Sequence, residues 1–190
     1  MDNNLKIINY LGKNTGMRFT MHNLSQLLVI PYASFYRTID GMKDLLVIEK
    51  VGKAKTVSLN YKTQTVKSYL AISSEKEKKE SLKIQPIIKK IANELETNDT
   101  VALFGSYANN TYTERSDIDI LIINKDGKRS ISFSKYELLF KKKINPVFVT
   151  KKEFQLMLKD KEENLGKQVL KNHIILNNPE AFWECVLDAV

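Results

Sequence analysis

Residues 101–124, VALFGSYANNTYTERSDIDILIIN, decide how this chain is read. The apolar run Val101-Ala102-Leu103-Phe104 stops abruptly at Gly105-Ser106. A run this short, ended by small residues, predicts a buried strand rather than a helix. A second strand begins at Asp117-Ile118-Asp119-Ile120-Leu121-Ile122-Ile123. Side chains alternate along a strand, so Asp117 and Asp119 share one face while Ile118 and Ile120 share the other. Two carboxylates about 6–7 Å apart on one face repel each other unless a cation lies between them, and a hard divalent ion such as Mg²⁺ fits that place. Glycine at the first strand's end lets a ligand approach the backbone. Amide N–H groups and the Ser106 hydroxyl then suit phosphate oxygens. A phosphate holder beside paired carboxylates points to metal-assisted nucleotidyl or phosphoryl transfer.

The segment GSYANNTYTERSDIDILI resembles the G-S-x-A, S-D-x-D signature of minimal nucleotidyltransferases in the DNA polymerase β superfamily, with Gly105, Ser106, Ala108, Ser116, Asp117 and Asp119 on the motif positions. The resemblance implies a nucleoside triphosphate held by Gly105 and Ser106, and Mg²⁺ held by Asp117 and Asp119, which are also the catalytic pair. The implied reaction is transfer of a nucleoside monophosphate to a hydroxyl acceptor. Two departures stand out. Active members carry a third carboxylate on the strand after the next helix; here that strand is INPVFVT, with Asn145 near the expected position and Glu153 just beyond it. Asn145 offers a carbonyl oxygen but no negative charge and no basic function. Asn109-Asn110 replaces the usual glycine after the motif alanine, and asparagine tolerates left-handed backbone.

Upstream, Leu5, Ile7, Ile8 and Leu11 have helical spacing, closed by Gly12; a short extended piece follows over 19–22, and Asn23 is placed to cap a second helix. Pro31 suits the first turn of a third helix over residues 32–43, with Phe35 and Tyr36 expected in the core and Ser34, Arg37 and Thr38 on the open face. Two strands, 46–51 and 56–60, flank a basic tip at 52–55. Residues 5–60 resemble a winged helix-turn-helix domain. The resemblance implies DNA or RNA as partner: Ser34, Arg37 and Thr38 face a groove or its phosphates, and Lys53 and Lys55 meet backbone phosphates. Net charge agrees with a polyanion: of the overall +8, residues 1–60 carry +4, eight basic side chains against four acidic.

The expected fold is α+β: a winged helix-turn-helix over 1–62, a helical connector over 63–83, and a nucleotidyltransferase-like small mixed sheet with flanking helices and a helical tail over 84–190. Helices are expected over 63–72 and 75–96, the second begun or kinked by Pro86, and over 134–143, where Lys141–Lys143 suit a helix C-terminus. A strand at 145–150 is set at an edge or a strand start by Pro146. Helices are expected on one side of the sheet. Residues 173–176 fit either strand or helix, and Pro179 opens a last helix with Phe182, Trp183, Val186 and Leu187. So apolar an end docks on the core or on a second copy of the chain. One cysteine, Cys185, excludes an internal disulfide framework, and two separated histidines exclude a Cys/His zinc cluster. With no long apolar run and no leader pattern, the expected location is the cytoplasm, away from membranes. Two functions stay open at this level. One is a Mg²⁺-dependent nucleotidyltransferase directed by a nucleic-acid-binding domain. The other is a catalytically impaired regulator that uses the same site for nucleotide sensing or assembly.

Overall fold

The computed structural model describes residues 1–189. The chain divides into two compact units, the first ending at Ser73 and the second beginning at Ser74.

The first unit opens with helix α1 (Asn3–Lys13), capped by the Asp2 carboxylate on Leu5 N. Ile7, Ile8 and Leu11 form its buried stripe, and Gly12 lies inside the helix rather than closing it. Strand β1 (Phe19–Thr20) leads directly into α2 (Met21–Leu27). Here the cap is Thr20, whose hydroxyl accepts from Asn23 N, so Asn23 is a first-turn residue and not the expected cap. The turn into α3 (Tyr32–Asp40) passes through Val29 at φ 54°. Phe35 and Ile39 bury one face of α3. Tyr36, expected in the core beside Phe35, is instead 44% exposed, because one residue on from a buried position a helix turns about 100° away. A 3₁₀ turn at Lys43–Leu45 precedes β2 (Leu46–Val51) and β3 (Ala54–Leu59), joined through Gly52 at φ 59°. The three strands form an antiparallel sheet in the order β1-β3-β2.

Two helices lie over 63–96 as expected, but the break between them falls later than residues 73–74: α4 (Gln64–Ser81) extends nine residues past the expected end at 72. It runs unbroken through Ser73-Ser74, both buried, and the following helix α5 (Pro86–Asn93) starts at Pro86, whose missing N–H is harmless in a first turn.

The second unit is built on a four-stranded sheet in the order β6-β5-β4-β7. Strand β4 (Thr100–Phe104) runs into the single helical turn α6 (Gly105–Ala108), and β5 (Ile118–Asn124) pairs antiparallel with β4. After α7 (Ser134–Phe140), β6 (Ile144–Thr150) returns parallel to β5. As an edge strand it accommodates Pro146, which has no N–H for a second neighbour. Helices α8 (Lys151–Lys159) and α9 (Leu165–Lys171) follow, then β7 (His173–Asn177) on the far side of β4, which settles residues 173–176 as strand. Helix α10 (Pro179–Leu187) closes the unit.

Helices cover both faces of this sheet, not one. Val101, Leu103, Ile118, Ile120 and Ile122 pack with Ile88 and Ile91 of α5 and Tyr136 of α7. Residues of the opposite parity, Ala102, Leu121, Ile123 and Ile175, are buried as well. They face α8, α9 and α10, which pack on β5 and β4 and bring in the fully buried Phe154, Val169, Phe182 and Trp183. The Trp183 indole N–H donates to Ser74 Oγ at 2.8 Å, so the one tryptophan is both buried and hydrogen-bonded.

Candidate active site at the ends of β4 and β5

Pairing of β4 with β5 brings the two halves of the motif together. Phe104 lies opposite Asp119, so the chain leaving β4 at Gly105 passes directly over the Asp119 side chain. Gly105 adopts φ 68°, and a Cβ added there would stand 2.6 Å from Asp119 Oδ2. Only glycine meets both the left-handed backbone and this close approach. The α6 turn after it is fixed from behind. Gln85, almost fully buried, donates its side-chain amide to Tyr107 O at 2.9 Å, and the Tyr107 ring stacks on Tyr112 at 4.2 Å between centroids. Thr111 N donates to Ser106 O at 2.9 Å, which leaves the Ser106 side chain half-buried at the strand end. Asn110 occupies the left-handed region at φ 56°, which accounts for asparagine where the motif commonly has glycine.

Ser116 is a turn residue. Its hydroxyl accepts from Thr113 N at 2.9 Å, and its own N–H returns to Thr113 O at 3.1 Å. The turn delivers Asp117 at the start of β5, half-exposed, with Asp119 on the same face and the fully buried Ile118 and Ile120 on the other.

The parallel register then decides what stands opposite the acids. Asn145 of β6 pairs with Asp119. Its side-chain N–H₂ donates to Asp117 Oδ2 and to Asp119 Oδ1, both at 3.2 Å. One amide thus bridges the two carboxylates. Lys143, two residues earlier on the same face, donates to Asp117 Oδ2 at 3.3 Å, and Lys142 reaches the carbonyl of Glu114 in the loop before Asp117. These lysines belong to the site rather than to a helix end, since α7 stops at Phe140. The i, i+2 relation of Lys143 to Asn145 is the signal in the sequence that could have found Lys143; nothing of the kind marks Lys142.

Glu153 does not approach the acids. Asp119–Asn145 is near one end of the β5–β6 ladder and Asn124–Thr150 at the other, five residues away, or about 16 Å at strand rise. Its carboxylate accepts from Thr150 N at 2.7 Å and Thr150 Oγ1 at 2.8 Å in a capping box at the start of α8. The Thr150 backbone N–H, then its hydroxyl, hold the Glu153 carboxyl below the ordinary carboxylate range. Among the described residues no three His, Cys, Asp or Glu side chains gather as a metal site. The donor set at the strand ends therefore consists of two converging carboxylates and one amide. All are hard ligands once the amide presents its oxygen, and together they suit one Mg²⁺.

In the first unit the residues singled out by sequence fall in two groups. Arg37 is exposed, and Lys53 and Lys55 lie on the exposed hairpin. Ser34 and Thr38 are half-buried and locally engaged: Ser34 Oγ accepts from Asn3 Nδ2 at 3.4 Å, and Thr38 Oγ1 donates to Ser34 O at 3.0 Å. The outward face of α3 is formed by Tyr32, Ala33, Tyr36, Arg37 and Asp40.

The site is thus an acid pair at the start of β5, with the glycine turn after β4 on one side and the parallel return strand β6 on the other. Residues 85–177 match the family model described as nucleotidyltransferase domain. A curated relative from Methanocaldococcus jannaschii is 38% identical over 78 residues, covering 37% of this chain and 78% of its own length; it carries the provisional name protein adenylyltransferase. The chain belongs to the nucleotidyltransferase-domain family. No solved structure matches it. Among the described residues no helix is long and apolar enough to cross a membrane.

Proposed function

We propose that the second unit binds a nucleoside triphosphate with one Mg²⁺ and transfers the nucleoside monophosphate slowly. The observation that carries this reading is the convergence of Asp117 and Asp119 on Asn145 beside Gly105. Carried over from the name of the archaeal relative, the nucleotide is ATP and the acceptor a protein hydroxyl. Asp117 and Asp119 would hold the ion, with Asn145 turning its amide to add a neutral oxygen. Mg²⁺, when bound, supplies charge neutralisation for the triphosphate and the departing pyrophosphate. The chain's own residues do the rest. Gly105 lets the phosphates lie against the backbone, and the Ser106 hydroxyl donates to a phosphate oxygen. Lys143 is near enough to Asp117 to exchange that carboxylate for a phosphate oxygen. The acceptor oxygen forms its bond to the α-phosphorus as the bond to pyrophosphate breaks, and the hydroxyl proton passes to solvent.

Slow transfer follows from what faces the acceptor. Asn145 cannot take a proton, and Glu153 is committed to its cap. The same facts favour a second reading, in which the site senses nucleotide and the chain acts as a regulator. For residues 1–60 we propose a winged helix-turn-helix module that binds nucleic acid, DNA or RNA, through Arg37, Lys53 and Lys55, with Ser34 and Thr38 on the flank of the same helix. The element order α1-β1-α2-α3-β2-β3 and the strand order β1-β3-β2 support it. The proposed location is the cytoplasm.

Calorimetry of ATP with and without Mg²⁺ tests the site. Wild-type chain is expected to bind ATP only with the ion, and Asp117→Asn/Asp119→Asn to abolish that dependence. Equal Mg²⁺-dependent binding by the double variant would refute the assignment.

A further inference from the structure

We propose that the cleft between α3 and the β2–β3 hairpin takes an unstacked base of single-stranded nucleic acid. The inference rests on reading the first unit as a nucleic-acid-binding module and narrows the ligand. The cleft has a volume of about 440 Å³ and is walled by His22, Tyr32, Tyr36, Lys53 and Lys55. That size is in the range of small-molecule clefts, roughly 300–1,000 Å³. Tyr32 is 48% and Tyr36 44% exposed, although both rings lie on a helix whose other face is fully buried. The His22 ring is tilted against Tyr32 at 6.0 Å, and the Lys55 ammonium stands 5.8 Å from the centre of the Tyr36 ring.

Reading base edges in a duplex groove needs polar side chains that reach outward, above all Arg, Asn and Gln. The open face of α3 offers Arg37 alone. The hydroxyls of Ser34 and Thr38 are turned to local partners, and Asp40 is an acid paired with Lys43. What α3 and the hairpin present instead is aromatic surface next to ammonium groups. Every base has a π-face, so stacked rings flanked by cations hold single strands with little regard to sequence. Tyr32 and Tyr36 supply the rings. Lys53 and Lys55, with no acid among the cleft's walls, supply charge for the phosphates on either side of the seated base.

Fluorescence anisotropy of the full chain with labelled single strands of about 12 nucleotides, in RNA and DNA form, and with duplexes of the same sequence tests the proposal. Single strands are expected to bind more tightly than duplex. Tyr32→Ala and Tyr36→Ala should each weaken single-strand binding about 5- to 150-fold. Both should leave duplex binding nearly unchanged, and Tyr32→Phe and Tyr36→Phe, which keep the ring, should bind as wild type. Lys53→Ala/Lys55→Ala should lower the salt slope by about 0.7 for each single-strand phosphate that is no longer neutralised. Tighter duplex binding, untouched by the tyrosine substitutions, would overturn the cleft assignment and leave the nucleic-acid module standing. Binding to neither form would overturn both.

Discussion

Replacing Asn145 by aspartate isolates the feature that sets this site apart. The amide bridges Asp117 and Asp119 with two hydrogen bonds of 3.2 Å, and Asn145→Asp changes a donor into a third anion. For two unit charges about 4 Å apart, repulsion is about 4 kcal/mol at an effective dielectric of ~20 and about 1 kcal/mol in water. Asp117 is 39% exposed and shares Lys143, so the true figure lies toward the lower limit for that pair and higher for Asp119. Removing the charge-assisted hydrogen bonds adds a further 1–2 kcal/mol, roughly. A ceiling exists, because the new carboxyl can bind a proton instead. At pH 7 that relief caps the cost near 4 kcal/mol, about three pH units above an ordinary aspartate's titration. The expected loss of stability is therefore about 2–4 kcal/mol at pH 7 without divalent ions. The carboxyl's folded pKa would be raised, so the loss is complete above that pKa and disappears as pH falls toward about 4. Mg²⁺ should restore most of it by mass action, and Mn²⁺ titration with nucleotide should count one ion in wild type and two in the variant. Urea unfolding read from Trp183, which lies buried in the same unit, measures the stability change. If Asn145→Asp is as stable as wild type at pH 7 without metal, and indifferent to Mg²⁺, the three side chains do not converge.

Gly105→Ala should cost about 1–2 kcal/mol from the left-handed backbone alone, and should also push Asp119 aside, since the new methyl falls 2.6 Å from its carboxylate. Calorimetry should then show Mg²⁺-dependent nucleotide binding abolished while the far-ultraviolet circular dichroism is unchanged. The Glu94 carboxyl is lowered to about 2 by hydrogen bonds from Lys90 and then Lys135. A depressed acid stabilises above its unfolded value and loses that contribution as pH falls through the folded one. Wild-type melting temperature should thus fall more steeply than that of Glu94→Gln between pH 4.5 and about 2, and parallel curves would refute the pairing.

Much of the site is legible in the sequence because it is local. Gly105-Ser106 and Asp117-x-Asp119 are fixed by strand alternation and by one turn, and the β4–β5 pairing that joins them needs only a short connection. The position of Asn145 is recoverable by counting from the helix before it. Periodicity stops informing elsewhere. The α4 helix runs on through Ser73-Ser74, and both serines are buried, which a mixed-charge run does not reveal. Tyr36 belongs to an apolar-looking face, yet burial on α3 is decided by what packs against Phe35 and Ile39.

The sequence by itself determined the acid pair, the glycine and the absence of a third acid on the strand after α7, because residue identity and alternation are properties of the chain. Only the tertiary structure decided what Asn145 does, since its two hydrogen bonds depend on the parallel β5–β6 register, set by strands that α7 separates. Register likewise removed Glu153, which is close to β6 in sequence but at the opposite end of the ladder from Asp119. Along a strand each residue adds about 3.3 Å, so a few positions of sequence become a separation no side chain can span.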